Sequence, residues 1–182
     1  MRRTFALLFL TACASGQTVE GSDSTPRQAA IFQSAETGML MAERPRAAKA
    51  QIAAPPPTVW LAIKKVYADL DIPITVENVP GHQIGNQNFY KSRQMAGEPM
   101  NLLVDCGSGM TGPKAASYRI YMSLLTDVNP DGKGGTNLQT TFVPMGQDVA
   151  GGSSDRIPCG TSGRLEQIVI DRVKAAVGVP IK

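Results

Sequence analysis

Tyr118-Arg119-Ile120-Tyr121-Met122-Ser123-Leu124-Leu125-Thr126-Asp127-Val128 is the stretch whose reading decides the fold. Successive side chains of a strand point to opposite faces of the sheet. Here Tyr118, Ile120, Met122 and Leu124 share one face, and Arg119, Tyr121, Ser123 and Leu125 share the other. Residues 129–135 have turn composition. Residues 136–143 then return, with Leu138, Thr140 and Phe142 alternating against Asn137, Gln139 and Thr141. Two alternating runs joined by a short polar turn predict an antiparallel strand pair.

Working outward, the period changes from two to that of a helix. Pro55-Pro56-Pro57-Thr58 opens a helix running to about residue 70, because proline is tolerated in the first turn, where its missing N–H has no partner to lose. Val59, Ile63, Val66 and Leu70 form one apolar stripe, flanked by Trp60 and Tyr67, while Lys64, Lys65 and Asp69 face away. A second helix is expected over residues 162–177, with Leu165, Ile168, Val169, Val173, Ala176 and Val177 as its buried stripe; Gly178 and Pro180 stop it. Between the helices, residues 74–78 read as a strand, Pro80-Gly81 as a turn, and residues 82–86 as the returning arm of a hairpin. Residues 102–106 read as a short apolar strand, 47–53 as a weak first strand, and 146–158 as a polar connector. Phe89-Tyr90 and residues 95–100 fall in a long connection. With Lys91 and Arg93 they read either as a contact loop or as aromatic residues packed on the sheet edge. The expected class is α+β: an antiparallel sheet packed on a C-terminal helix, in one domain over residues 47–178 with a tail at 179–182.

The start of the chain speaks to location. Arg2 and Arg3 precede the apolar run Phe5 to Leu10, and small residues follow, the anatomy of a secretory signal. The run is too short to span a bilayer, which takes about 20 apolar residues. Leu10-Thr11-Ala12-Cys13 resembles the lipobox of bacterial lipoproteins. That resemblance implies a signal peptide over residues 1–12, removal of it, and a diacylglycerol on the Cys13 thiol. Each buried acyl methylene adds about 0.8 kcal/mol of membrane affinity, so two or three chains hold durably. Ala14 and Ser15 follow the cysteine; with no Asp there, the resemblance favours the outer membrane, facing the periplasm. Residues 14–28 are polar and rich in Gly, Ser and Thr, so residues 13–46 read as a lipidated N-terminus and flexible tether.

Charge and cysteine content narrow the function classes. The formal charge of +3 falls to +1 once Arg2 and Arg3 leave with the signal. No basic block with interleaved aromatic residues occurs, so no nucleic-acid partner is expected. If Cys13 carries lipid, Cys106 and Cys159 remain as an even pair in an oxidising compartment, which reads as a disulfide. Their spacing is not that of a C-x-x-C redox motif, and His82 is the only histidine, which argues against a zinc site.

Local motifs are explained by turn chemistry. Asp127-Val128-Asn129-Pro130-Asp131-Gly132 matches the front half of a calcium loop, but position 12 is Leu138 where a bidentate Glu belongs. Gly132-Lys133-Gly134-Gly135-Thr136 lacks the spacing of a phosphate loop. Ser108 and Ser162 sit in Gly-rich stretches, with His82 as the only conceivable base and no nucleophile elbow. No catalytic residue, metal or cofactor is assigned, and the chain is read as a non-enzyme.

The run Ile52-Ala53-Ala54-Pro55-Pro56-Pro57-Thr58-Val59-Trp60-Leu61-Ala62-Ile63 resembles the start of helix-grip domains, in which a sheet wraps around a helix. The order of elements over residues 47–177 is similar to the repeated domains of the accessory lipoprotein of the outer-membrane β-barrel assembly machine. Cys106-Gly107 and Cys159-Gly160-Thr161-Ser162-Gly163-Arg164-Leu165-Glu166 look like a pattern shared by uncharacterised bacterial lipoproteins. The function expected is a non-catalytic envelope lipoprotein, tied to the membrane through Cys13, that binds an envelope protein as a structural or assembly accessory. The alternative is a binding module holding a hydrophobic small molecule or lipid between helix and sheet.

Overall fold

The computed structural model describes residues 47–178. The signal, Cys13, the tether and the tail at 179–182 lie outside the described residues. The chain order is β1 (Ala47–Ile52), α1 (Pro56–Asp69), β2 (Val76–Asn78), β3 (Gln83–Ser92), β4 (Gln94–Met95), β5 (Glu98–Pro99), α2 (Met100–Leu103), β6 (Val104–Asp105), β7 (Ser108–Gly109), β8 (Gly112–Pro113), β9 (Arg119–Pro130), β10 (Thr136–Gln147), β11 (Arg156–Pro158), β12 (Gly160–Thr161) and α3 (Arg164–Ala176). The main sheet is antiparallel in the order β1-β10-β9-β3-β2, and β11 pairs with β10 beyond the start of β1. The α+β class holds, with α3 packed on this sheet; α1 lies on the same side, against α3 and β9.

The β9–β10 pair is the frame. Its register runs without a break from Thr136 opposite Pro130 to Gln147 opposite Arg119. Ile120, Met122, Leu124, Leu138 and Phe142 turn inward and are buried to within 1 %. They meet Val59, Ile63 and Val66 of α1 and Leu165, Val169 and Val173 of α3 in one continuous cluster. Full burial of a side chain of this size contributes about 1.5–3 kcal/mol. Trp60 packs against the cluster from its margin, and its indole N–H reaches Glu77 Oε1 at 3.4 Å. Tyr67 is not a flanking residue but a core one. It is wholly buried and shares a hydrogen bond of 2.8 Å with Thr126, which in turn lies 3.1 Å from the Thr140 hydroxyl. This line of hydroxyls fixes how α1 sits on β9 and β10, since a buried hydroxyl left alone costs about 1–3 kcal/mol.

Two expected segments differ in kind. Phe89 and Tyr90 are not in a connection; they belong to the ten-residue β3. A bulge between Asn86 and Phe89 shifts the register there, so Ile84, Asn86 and Phe89 are the side chains buried toward the helices, with Gly85 buried between the first two. Asn86 Nδ2 donates to the Pro73 carbonyl at 2.5 Å, and its Oδ1 accepts from the Asn88 N–H at 2.8 Å. Gly85, at φ 157°, makes room for this: a Cβ there would strike the Leu124 carbonyl oxygen. Residues 102–106 are not one strand. Met100 and Leu103 are buried on the single turn α2, and only Val104–Asp105 is extended. The polar connector at 146–158 is also shorter than expected, because β10 continues to Gln147 and β11 occupies Arg156–Pro158.

Candidate functional site

Cys106 and Cys159 are joined in a disulfide with Cα atoms 4.4 Å apart. Beside it, β6 pairs with β12, Gly160 opposite Asp105 and Thr161 opposite Val104. The bridge therefore fastens the entrance of α3 to the insertion that follows β3. Gly146 of β10 lies directly beneath: a Cβ there would stand 3.0 Å from Cys106 Sγ and 3.1 Å from Cys159 Sγ. The loop closed by the bridge spans 53 residues, which constrains the unfolded chain by about 4 kcal/mol in the chain-entropy model.

The other sequence motifs resolve into structural work. Asp131 Oδ1 accepts the N–H groups of Lys133 at 2.7 Å and Gly135 at 2.8 Å, closing the β9–β10 turn on itself. Asp127 sits back on β9 and accepts from Gln83 Nε2 at 3.1 Å. The front half of the calcium-like run is thus divided between a turn and a strand, and among the described residues no three His, Cys, Asp or Glu side chains converge. The Ser162 hydroxyl donates to the Leu102 carbonyl at 2.8 Å and accepts from the Arg164 N–H at 3.3 Å. It ties α2 to the start of α3. Ser108 stands in the exposed β7–β8 hairpin and His82 in the turn before β3, on separate elements.

Glu166, in the first turn of α3, is wholly buried, and the Thr161 hydroxyl donates to its two carboxyl oxygens at 2.9 and 3.0 Å. Burial pushes its pKa above the usual carboxylate value, and the Thr161 hydrogen bond only partly offsets this.

The surface that presents chemistry is the sheet face turned away from the helices. The register aligns Tyr90 of β3, Tyr121 of β9, Met145 of β10 and Pro158 of β11 in one row, and Ser92, Arg119, Gln147 and Arg156 in the next. The Tyr90 and Tyr121 rings lie 5.8 Å apart at 49°. The Arg119 guanidinium stands 5.1 Å from the centre of the Tyr90 ring, and that of Arg156 3.5 Å from the centre of the Tyr121 ring. Such stacking is worth about 0.5–1 kcal/mol at exposed sites. A hydrogen bond from Arg119 holds the Tyr121 hydroxyl below the usual phenol pKa, with Arg156 adding to the effect. Among the described residues neither arginine forms an ion pair, whereas Lys64, Lys65, Lys91 and Arg164 are paired with Glu77, Asp69, Asp71 and Glu98. The rings hold the two guanidiniums in place without neutralising them.

Sequence reasoning placed Arg119 and Tyr121 on one strand face but did not single them out, and it left Tyr90 in a loop and Arg156 in a connector. The available signal was the pairing of Arg119 with Tyr121 on the face of the clearest strand that does not line the core. Other exposed apolar residues, Leu61, Val79, Leu102 and Met110 among them, stand on separate elements. An open groove of about 410 Å³ crosses the other end of the same sheet, lined by Lys49, Gln51, Asn129, Asn137 and Gln139. Its lining mixes these polar side chains with Ala50 and Leu138. No family model and no curated protein matches this chain.

Proposed function

We propose that this protein is a non-catalytic lipoprotein of the bacterial cell envelope, held in the outer membrane through Cys13 and binding another envelope protein as a structural or assembly accessory. The observation that carries the reading is the Tyr90–Arg119–Tyr121–Arg156 face. Tyrosine and arginine dominate binding energy at protein interfaces, where they combine large rigid contact area with directed hydrogen bonding. The lipobox-like Leu10-Thr11-Ala12-Cys13 supports the anchor, and the Cys106–Cys159 bridge fits an oxidising compartment such as the periplasm. The alternative of a hydrophobic ligand held between helix and sheet gains no support from the interior, where Ile63, Met122 and Phe142 belong to one buried cluster and Trp60 packs against it.

Two experiments test the parts separately. Radiolabelled palmitate is expected to enter the parent chain and not Cys13→Ala; equal labelling, or none in either, refutes the anchor. A photo-crosslinking amino acid at position 90 in living cells is expected to capture a discrete protein species, and the same probe at exposed Lys65 on α1 is not. Equal capture at both positions, or none at either, refutes the binding face.

A further inference from the structure

We infer that this sheet face recognises an acidic stretch of polypeptide, with carboxylates on the Arg119 and Arg156 guanidiniums and apolar side chains over the row of Tyr90, Tyr121 and Met145. The inference rests on the protein-binding reading above and specifies the chemistry of the partner.

Charge comes first. Two cations are fixed on the same face by the rings beneath them and have no ion pair among the described residues. No Asp or Glu occurs in either row. Asp148 and Asp155 lie in the loop between β10 and β11, and Asp148 accepts the Gly151 N–H at 2.9 Å. Both guanidiniums give an N–H to the Tyr121 hydroxyl, and stacking leaves their remaining N–H donors open to a planar anion. The face is thus complete except for its counter-charge.

The composition of the face selects the kind of anion. Arg119 and Arg156 are the only cations in the two rows, and the adjacent Lys91 is engaged with Asp71. A phosphate-rich surface, whether lipid or nucleic acid, is met by many lysines and arginines acting as spread charge. Two fixed forks bordering an aromatic and thioether row instead suit a chain carrying both carboxylates and apolar groups. Arg119 and Arg156 face each other across Gln147, two strand spacings apart. That is about 10 Å between their backbones, which a peptide in the polyproline II conformation covers in about three residues while keeping its first and fourth side chains on one side. The ligand is an acidic pair separated by a short apolar step.

The test selects short random peptides from a display library against the full chain held in detergent micelles. Enrichment of Asp or Glu pairs about three residues apart is expected, with affinity falling about tenfold, or 1.4 kcal/mol, in the Arg119→Gln/Arg156→Gln double variant. Charge reversal at one site, Arg156→Glu, is expected to shift the selected peptides toward lysine and arginine; unchanged melting temperatures verify that these surface variants fold. Selection without acidic enrichment overturns the inference, as does acidic binding that survives the double substitution. Sedimentation with phosphatidylglycerol vesicles that depends on the two arginines, without a peptide preference, overturns it in favour of a membrane surface. Photo-capture at position 90 that persists in the double variant leaves the protein-binding reading standing and removes the acidic class alone.

Discussion

Substituting Gly146 tests whether the disulfide sits where the fold requires it. A Cβ at this position would stand 3.0 Å from Cys106 Sγ, 3.0 Å from the Tyr118 ring and 3.1 Å from Cys159 Sγ. The sulfurs cannot swing aside as the end of a flexible side chain can, because each is bonded to the other and both flanking segments are paired through β6 and β12. Overpacking of a rigid site costs about 1–3 kcal/mol. Gly146 lies in a strand and takes no left-handed conformation, so alanine suits the backbone and gains about 0.4–1 kcal/mol from reduced freedom of the unfolded chain. The expected net cost of Gly146→Ala is therefore about 1 kcal/mol, within a range of roughly 0–2.6 kcal/mol, with the bridge intact. Removing the bridge by Cys106→Ala/Cys159→Ala costs about 4 kcal/mol by itself. In that background both sulfurs are gone while the Tyr118 ring stays at 3.0 Å, so Gly146→Ala should cost about 1 kcal/mol less than with the bridge intact. Urea unfolding of the four chains yields the coupling energy directly, since neighbouring substitutions depart from additivity. An equal effect of Gly146→Ala in both backgrounds would refute the placement of β10 under the bridge.

Three further outcomes follow from the packing. Gly85→Ala drives a Cβ into the Leu124 carbonyl, a backbone atom held in the sheet, and should lower stability by about 3 kcal/mol or more, read as a fall in urea midpoint. Tyr67→Phe removes one end of the hydroxyl line but leaves Thr126 its contact with Thr140, so the loss should be close to 1 kcal/mol by chemical denaturation. Glu166 gives a pH signature. Its folded pKa lies above the ordinary 4.5, so the folded chain binds more protons than the unfolded one in the window above 4.5, and stability falls as pH rises through that window. Gln keeps an oxygen for Thr161 and cannot ionise. Glu166→Gln should therefore match the parent at acid pH and exceed it near neutrality, and parallel pH profiles would contradict the burial of this carboxyl.

The parts of the fold legible in the sequence are those with an unbroken period. Met122 and Leu124 against Tyr121 and Ser123, and Val59, Ile63 and Val66 on α1, each repeat long enough to declare strand or helix. Where the period breaks, the reading failed for a physical reason. The bulge in β3 moves the inward positions from Ile84 and Asn86 to Phe89, an odd step that hides a strand from any alternation test. Met100 and Leu103 mark one helical turn, too short to separate from the extended residues after it. The candidate face was the least legible part. Arg119 and Tyr121 are near in sequence, but Tyr90 and Arg156 join them only through the register of four strands, which composition does not encode. The pairing of Cys106 with Cys159 could be read from count and the expected oxidising compartment, because two cysteines beyond Cys13 leave one intramolecular partner each.

The borders of the main sheet bear on how such a protein coexists with others at high concentration. On one side β2 is only three residues long, and on the other β1 and β11 share the length of β10, six residues and three. Beyond β2 the outer edge of β3 from Asn86 to Ser92 has no strand partner among the described residues, and the bulge between Asn86 and Phe89 interrupts that edge, which discourages a foreign strand from zipping onto it. Neighbours are left to discriminate by side-chain chemistry, which point substitutions can retune one residue at a time without reopening the ladder.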